Sequence, residues 1–270
     1  MYPILFEWGS FVLPSWHAFY ALGALAALIL LRVAGKRFSP EIDPVDLSRL
    51  FAVCYVSGYF GARALSILVE EPQLMGLDAF MALGRFGPMT FYGGALGAAA
   101  AGTAYAAWQR LPKGKILDLG LPCAALALGF GRIGCFLNGD DYGRAAPMAP
   151  DGQPPWWSVT FPVLKDGIAR WPVQLLEAGT AFLIALVLLA VFRRVRASFG
   201  PGGVAYLTAI AYANVRFLLE FLRDDFRGSV AGTWVSTSQF ISLVILMACV
   251  GLVPYWLRRF RALEPAAARP

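Results

Sequence analysis

The sequence predicts an all-α, polytopic membrane protein of about seven transmembrane helices in one bundle. Three observations predict it. First, 58% of the 270 residues are hydrophobic and only 15% are charged, where a soluble chain of this size carries about 25% charge. Second, the apolar residues gather in runs long enough to cross a bilayer core of about 30 Å. Third, basic residues collect in alternate loops, the pattern that orients membrane helices.

The runs come in order at Trp16–Val33, Leu50–Val69, Met89–Ala107, Leu117–Phe136, Gln174–Phe192, Val204–Phe221 and Phe240–Leu257. The first lacks a basic leader and a small-residue cleavage site, so it reads as a span and not as a cleaved signal peptide. Gly58, Gly61, Gly93, Gly94, Gly97, Gly129, Gly131 and Gly134 punctuate the second to fourth runs. Small residues at such spacing let helices approach closely in lipid. The reading is one transmembrane domain over residues 1–270, with a cap loop at about 140–172.

The loop charges set the orientation. Arg32, Lys36, Arg37 and Arg49 follow the first run; Arg110, Lys113 and Lys115 the third; Arg193, Arg194 and Arg196 the fifth; Arg258, Arg259 and Arg261 the seventh. The remaining loops are acidic or mixed, with Glu70, Glu71 and Asp78 after the second run and Asp224 and Asp225 beside Arg223 and Arg227 after the sixth. The positive-inside rule then puts the N-terminus outside and the C-terminus inside. The loop from Asp140 to Pro172 falls outside, and its Trp156, Trp157 and Trp171 suit a cap lying at the membrane surface. A plain connector is the other reading.

The fourth run ends in Gly129-Phe130-Gly131-Arg132-Ile133-Gly134-Cys135-Phe136-Leu137-Asn138-Gly139-Asp140-Asp141-Tyr142-Gly143-Arg144. A cation such as Arg132 in or near hydrocarbon costs about 2.5–3.5 kcal/mol on insertion scales and so calls for a partner or a ligand. Two readings follow: an Arg paired with Asp140 or Asp141 for helix packing, or a phosphate site matched to arginine's planar fork. Gln174 and Glu177 are three apart, on one helix face. Arg216, Glu220 and Arg223 share another face. Arg216 and Glu220 suit an intrahelical ion pair; Arg132 and Arg216 together also suit a clamp for an anionic lipid headgroup. The four cysteines show no CxxC and there is a single histidine, His17, so no metal and no organic cofactor is called for. The net charge of +6 is accounted for by loop asymmetry and implies no nucleic acid.

The stretch Gly131-Arg132-Ile133-Gly134-x-Phe136-x-Asn138-Gly139-Asp140-x-x-Gly143-Arg144 resembles the signature of the prolipoprotein diacylglyceryl transferases. Tyr92-Gly93-Gly94-Ala95-Leu96-Gly97 resembles that family's His-Gly-Gly motif, Pro172-x-Gln174-Leu175-x-Glu177 its Pro-x-Gln-Leu-Tyr-Glu motif, and Arg216-Phe217-x-x-Glu220-Phe221-x-Arg223 its Arg-Phe-x-x-Glu-Phe-x-Arg motif. Ser238-Gln239 is similar to its closing dipeptide. The motifs occur in family order over nearly the whole chain.

The resemblance implies seven spans in the bacterial inner membrane. It implies transfer of diacylglyceryl from phosphatidylglycerol to the lipobox cysteine in the signal peptide of a preprolipoprotein, the first step of lipoprotein maturation. It implies Arg132, Arg216, Asn138 and Gly143 as phosphatidylglycerol-binding residues, and Asp140, Arg144, Gln174, Glu177, Glu220 and Arg223 as support. The chain departs from the family at five polar positions: Tyr92 for His, Cys135 for Asn, Trp171 for His, Leu176 for Tyr and His17 for Tyr. The reading therefore divides the catalytic work among Tyr92, His17 and Arg216, with His17 accepting the thiol proton and Tyr92 bonding the lipid or thiol. The departures equally suit a paralogue that binds phosphatidylglycerol or modifies another acceptor.

Overall fold

Long apolar runs become long helices because, away from water, a helix satisfies its own backbone polar groups. A computed structural model describes residues 1–9, 11–84, 87, 89–148, 150, 152–224, 235–256 and 258. Asp225, Arg227, Leu257, Arg259 and Arg261, used above for span ends and loop charges, lie outside the described residues. In chain order the elements are β1 (Ile4–Trp8), β2 (Phe11–Pro14), α1 (Ser15–Phe38), α2 (Pro44–Glu70), α3 (Gly76–Leu83), α4 (Phe91–Trp108) and α5 (Lys113–Asn138). After them come β3 (Val159–Thr160), β4 (Ala169–Arg170), α6 (Val173–Ala190), α7 (Phe192–Phe199), α8 (Gly203–Leu219) and α9 (Thr237–Gly251).

Among the described residues, six helical stretches are long and apolar enough to cross a membrane: those beginning at Ser15, Pro44, Lys113, Val173, Gly203 and Thr237. The remaining expected span is α4. It is a helix of 18 residues, but glycine and alanine make it less apolar than the other six. The fifth run is shorter than expected, because the helix breaks after Ala190 and restarts as the basic α7. Two antiparallel pairs, β1–β2 and β3–β4, were not foreseen. β1–β2 precedes α1 and is tied to it by the Ser15 amide donating to the Pro3 carbonyl at 2.9 Å.

The chain falls into two compact units, Leu31–Ile116 and the remainder, Met1–Leu30 with Leu117–Pro270. In the first, α2 and α4 pack backbone to backbone. A Cβ on Gly61 would lie 2.4 Å from the Gly93 carbonyl oxygen, and one on Gly97 would lie 2.5 Å from that of Ser57. Such approach gives dispersion contact where lipid offers no hydrophobic drive. The start of α2 is fixed by Asp43, which accepts the Val45 amide at 2.8 Å, and by Pro44 at the first helical position. Arg63 is buried in this unit; it donates to Glu71 at 2.5 Å and to the Ala82 carbonyl at 3.1 Å.

In the second unit α1 lies on α5. A Cβ on Gly23 would sit 2.8 Å from the Ala127 carbonyl, and one on Gly134 would sit 3.2 Å from Trp16 Cα. Gly129 admits the Phe182 ring of α6, which also meets Phe130 edge-on at 5.3 Å. At the other end of α5, Asp118 is fully buried and accepts the amides of Gly202 at 2.8 Å and Ala205 at 2.9 Å. It thereby satisfies the orphan donors at the start of α8, where Gly202 has φ 99° and offers no side chain of its own.

Candidate functional site

The site is built where α5, α6 and α8 end or begin together in the second unit. Residues 142–146 run as an extended segment between two others. The Arg144 amide donates to the Leu222 carbonyl at 2.8 Å, and the Trp171 amide donates to the Arg144 carbonyl at 3.0 Å. Gly143 bridges to Arg223, and a Cβ on it would lie 2.5 Å from the Trp171 carbonyl oxygen. Only glycine fits that crossing. This ladder brings the end of α5, the start of α6 and the chain beyond α8 to one place.

Three arginines meet there around one carboxylate. Glu177 on α6 is 1% exposed. Its oxygens lie 3.0 Å from Arg132 Nε, 3.7 Å from Arg216 Nε and 3.6 Å from Arg223 Nη1. Neither oxygen has a well-aligned hydrogen bond among the described residues, so the attachment is ionic. Arg216 also donates to Glu220 at 2.6 Å and to the Ser238 hydroxyl at 2.8 Å. Asp141, in the turn after α5, accepts from Arg132 and lies 3.0 Å from Arg223 Nη2. Arg132, Arg216 and Arg223 thus face Glu177, Glu220 and Asp141, three charges against three. Buried charges of this kind persist only when balanced.

Of the two readings of Arg132, the ion pair is present, and its carboxylate is Asp141. The anion-clamp reading concerns what the same guanidinium does when an anion arrives. Glu220 is likewise paired with Arg216 within one helical turn.

The turn itself carries Asn138, Gly139 and Asp140. Asn138 donates to the Asp140 carboxylate at 2.8 Å, and Gln174 donates to the Asp140 carbonyl at 2.6 Å. Burial pushes the Asp140 carboxyl above its ordinary range, opposed by the Asn138 bond. Cys135 stands where the family motif has Asn. The Cys135 sulfur and the carboxylates of Asp140 and Asp141 lie within 4.8 Å of one another. Gly139 takes φ 88° beneath Val163, and Asp141 itself takes φ 59°.

The structure places the other candidates as follows. Arg144 is exposed and contributes through its backbone. His17 stands in the first turn of α1, edge-on to Trp16 at 5.1 Å. Tyr92 stands in the first turn of α4, edge-on to Phe91 at 5.7 Å, in the other compact unit. Trp171 stacks on Trp157 with centroids 4.0 Å apart, while Trp156 is 94% exposed.

Four residues outside the candidate set join this network: Asp141, Ser238, Arg170 and Asp224. Arg170 lies over the Tyr142 ring at 5.0 Å and donates to Asp224 at 2.8 Å and Asp166 at 2.5 Å. The doubled acid Asp140-Asp141 was a usable signal for the first. For Arg170 and Asp224, 54 residues apart, no periodicity links them.

A sequence profile of the family described as "Prolipoprotein diacylglyceryl transferase" matches residues 3–255. Among similar proteins is the phosphatidylglycerol--prolipoprotein diacylglyceryl transferase of Clostridium tetani, 34% identical over 97% of this chain and 99% of its own length. A protein of the same name from Geobacter sulfurreducens is 31% identical over 91% of both chains. One from Erythrobacter litoralis is 30% identical over 89% of this chain and 86% of its own.

Proposed function

Given that the chain belongs to the prolipoprotein diacylglyceryl transferase family, we propose that it transfers the diacylglyceryl group of phosphatidylglycerol to the lipobox cysteine of preprolipoproteins. The observation that carries this reading is the convergence of Arg132, Arg216 and Arg223 on buried Glu177 at the end of a membrane span. Charge-assisted donors held rigidly in a water-poor place bind a phosphodiester and stabilise the charge that develops on it as it leaves.

The chemistry balances without a cofactor. The cysteine thiolate attacks the glycerol carbon bearing the phosphate ester. A carbon–sulfur bond forms, the carbon–oxygen bond breaks, and glycerol phosphate departs with the electron pair. Arg132 and Arg216 receive the phosphate; Glu177 and Glu220 fix the two guanidinium planes. Asn138, Asp140, Gly143, Arg144, Gln174 and Arg223 hold the turn that follows the helix of Arg132 and carries its partner Asp141. The thiol must first lose its proton. His17 is assigned to accepting that proton, and Tyr92 to bonding the lipid or the thiol.

The loop charges support an outward N-terminus and an inward C-terminus, with the whole chain acting as one transferase in the cytoplasmic membrane of a bacterium. The 140–172 segment, which carries β3 and β4, is assigned as an outer cap over the site. A second reading is favoured by the substituted positions Tyr92, Cys135, Trp171 and His17: a paralogue that uses phosphatidylglycerol with a different acceptor. Complementation of a strain depleted of its own transferase tests the first reading. Restored growth with lipid-modified lipoproteins supports it; phosphatidylglycerol binding with no rescue by a well-expressed protein favours the second.

A further inference from the structure

The arginines expected to receive phosphate are occupied by carboxylates, which raises the question of which one gives way. Arg132 is held at Nε by Glu177 and at Nη1 by Asp141. A bidentate grip on phosphate uses two N–H groups of one fork, so an arriving phosphate competes with these carboxylates for the same guanidinium. Glu177 is 1% exposed, sits on a helix and serves three arginines at once. Removing it leaves three buried cations facing two carboxylates. Glu220 pairs Arg216 from one helical turn away and does not touch Arg132.

Asp141 differs from both. It sits in a turn after α5, not on a helix, and its side chain is 20% exposed. Its backbone is in the left-handed region at φ 59°, which costs a non-glycine residue about 1–2 kcal/mol. It also bridges two arginines, Arg132 and Arg223, from outside the Glu177 cluster. The span that a lipid phosphate would need is therefore held by the most accessible of the three carboxylates.

We propose that Asp141, tethered to Arg223, is an internal anion that occupies the phosphate position on Arg132 until the phosphodiester displaces it. It sets how strong an anion must be to enter. The exchange keeps the cluster neutral: one negative group leaves the arginines as another arrives. This rests on the phosphate-site reading given above. The measured affinity is then the intrinsic affinity multiplied by the fraction of molecules with the latch open.

The test titrates short-chain phosphatidylglycerol, and separately diacylglycerol of equal chain length, which lacks the phosphate, into purified full-length protein in neutral detergent, read by calorimetry. Asp141→Asn keeps the side-chain volume and removes the charge. Asp141→Gly removes the carboxylate and relieves the left-handed backbone, so it remains informative if the Asn variant is poorly folded. Both are expected to bind phosphatidylglycerol about three- to tenfold tighter than wild type, as for a site otherwise open one part in three to ten, with diacylglycerol unchanged. A residue that only braces Arg132 would instead weaken binding when lost. Unchanged or weaker phosphatidylglycerol binding in a folded variant overturns the latch. Arg132→Ala separates the two failures: if it loses phosphatidylglycerol binding while Asp141→Asn fails to tighten it, only the latch is wrong; if it binds as wild type, the phosphate site is wrong and the latch with it.

Discussion

Replacing Glu177 with glutamine removes the one carboxylate common to three buried arginines while keeping the shape of the side chain. Glu177 is 1% exposed, and its oxygens lie 3.0–3.7 Å from Arg132, Arg216 and Arg223. Breaking a buried ion pair by deleting one partner costs about 3–5 kcal/mol, because the other charge stays buried without compensation. The glutamine oxygen still accepts from one arginine, and Asp141 and Glu220 still balance two, so the low end, about 3 kcal/mol, applies. For a chain of this size that corresponds to a fall of about 6–12 °C in melting temperature. Intrinsic tryptophan fluorescence during heating in neutral detergent reads it. Added phosphatidylglycerol is expected to recover part of the loss, since its phosphate supplies the missing negative charge. The same lipid should stabilise Glu177→Gln more than wild type. A melting temperature within about 2 °C of wild type, less than 1 kcal/mol by the same scaling, would refute the idea that Glu177 organises the cluster.

Three further outcomes follow from other parts of the chain. Asp118→Ala leaves the amides of Gly202 and Ala205 without their acceptor, which should cost on the order of 2–4 kcal/mol and appear as a lower melting temperature; a neutral result would show that α8 starts without help. Gly61→Ala drives a Cβ to 2.4 Å from the Gly93 carbonyl, so folded yield after membrane extraction should fall sharply, whereas Gly120→Ala, with open space around it, should express normally. The Asp166 carboxyl is held below its ordinary range, first by the Ile168 amide and then by Arg170. Its support of the β4 end is therefore full above the unfolded carboxyl value of about 3.9 and is lost as pH falls through the lower folded one. The exchange protection factor of the Ile168 amide should drop on acidification in wild type and be low and flat in Asp166→Asn.

The helices were legible because a span needs only length and hydropathy, and both are local. The glycines of α2 and α4 were legible for the same reason, since close packing in lipid requires them at the contact. The limits are physical too. α4 is less apolar than the other spans because the residues that let it touch α2, Gly93 and Gly97, carry little hydropathy of their own. β1 carries apolar side chains at four of its five positions, with Glu7 between Phe6 and Trp8, and all five are exposed, so no alternation marked it as strand. The partner of Arg132 was narrowed to Asp140 or Asp141; only the turn geometry, with Gly139 at φ 88°, separates them, directing Asp140 toward Asn138 and Asp141 toward Arg132. Arg170 with Asp224 depends on a ladder between distant segments and left no local trace. The substituted positions show the converse. Cys135 stands where the family motif has Asn, and its sulfur lies within 4.8 Å of the Asp140 carboxylate, a neighbour that the motif alone does not name.

The account stands on Arg132 as the phosphate ligand of a diacylglyceryl transfer. The direct measurement incubates purified protein with phosphatidylglycerol and a lipobox peptide and follows both the gain in peptide mass and the release of glycerol phosphate. Wild type is expected to yield the two products in equal amounts. Arg132→Ala, shown to be folded by its melting curve, is expected to yield neither, and Arg132→Lys to recover little because a point charge cannot replace the fork. Near-normal transfer by Arg132→Ala would contradict the account.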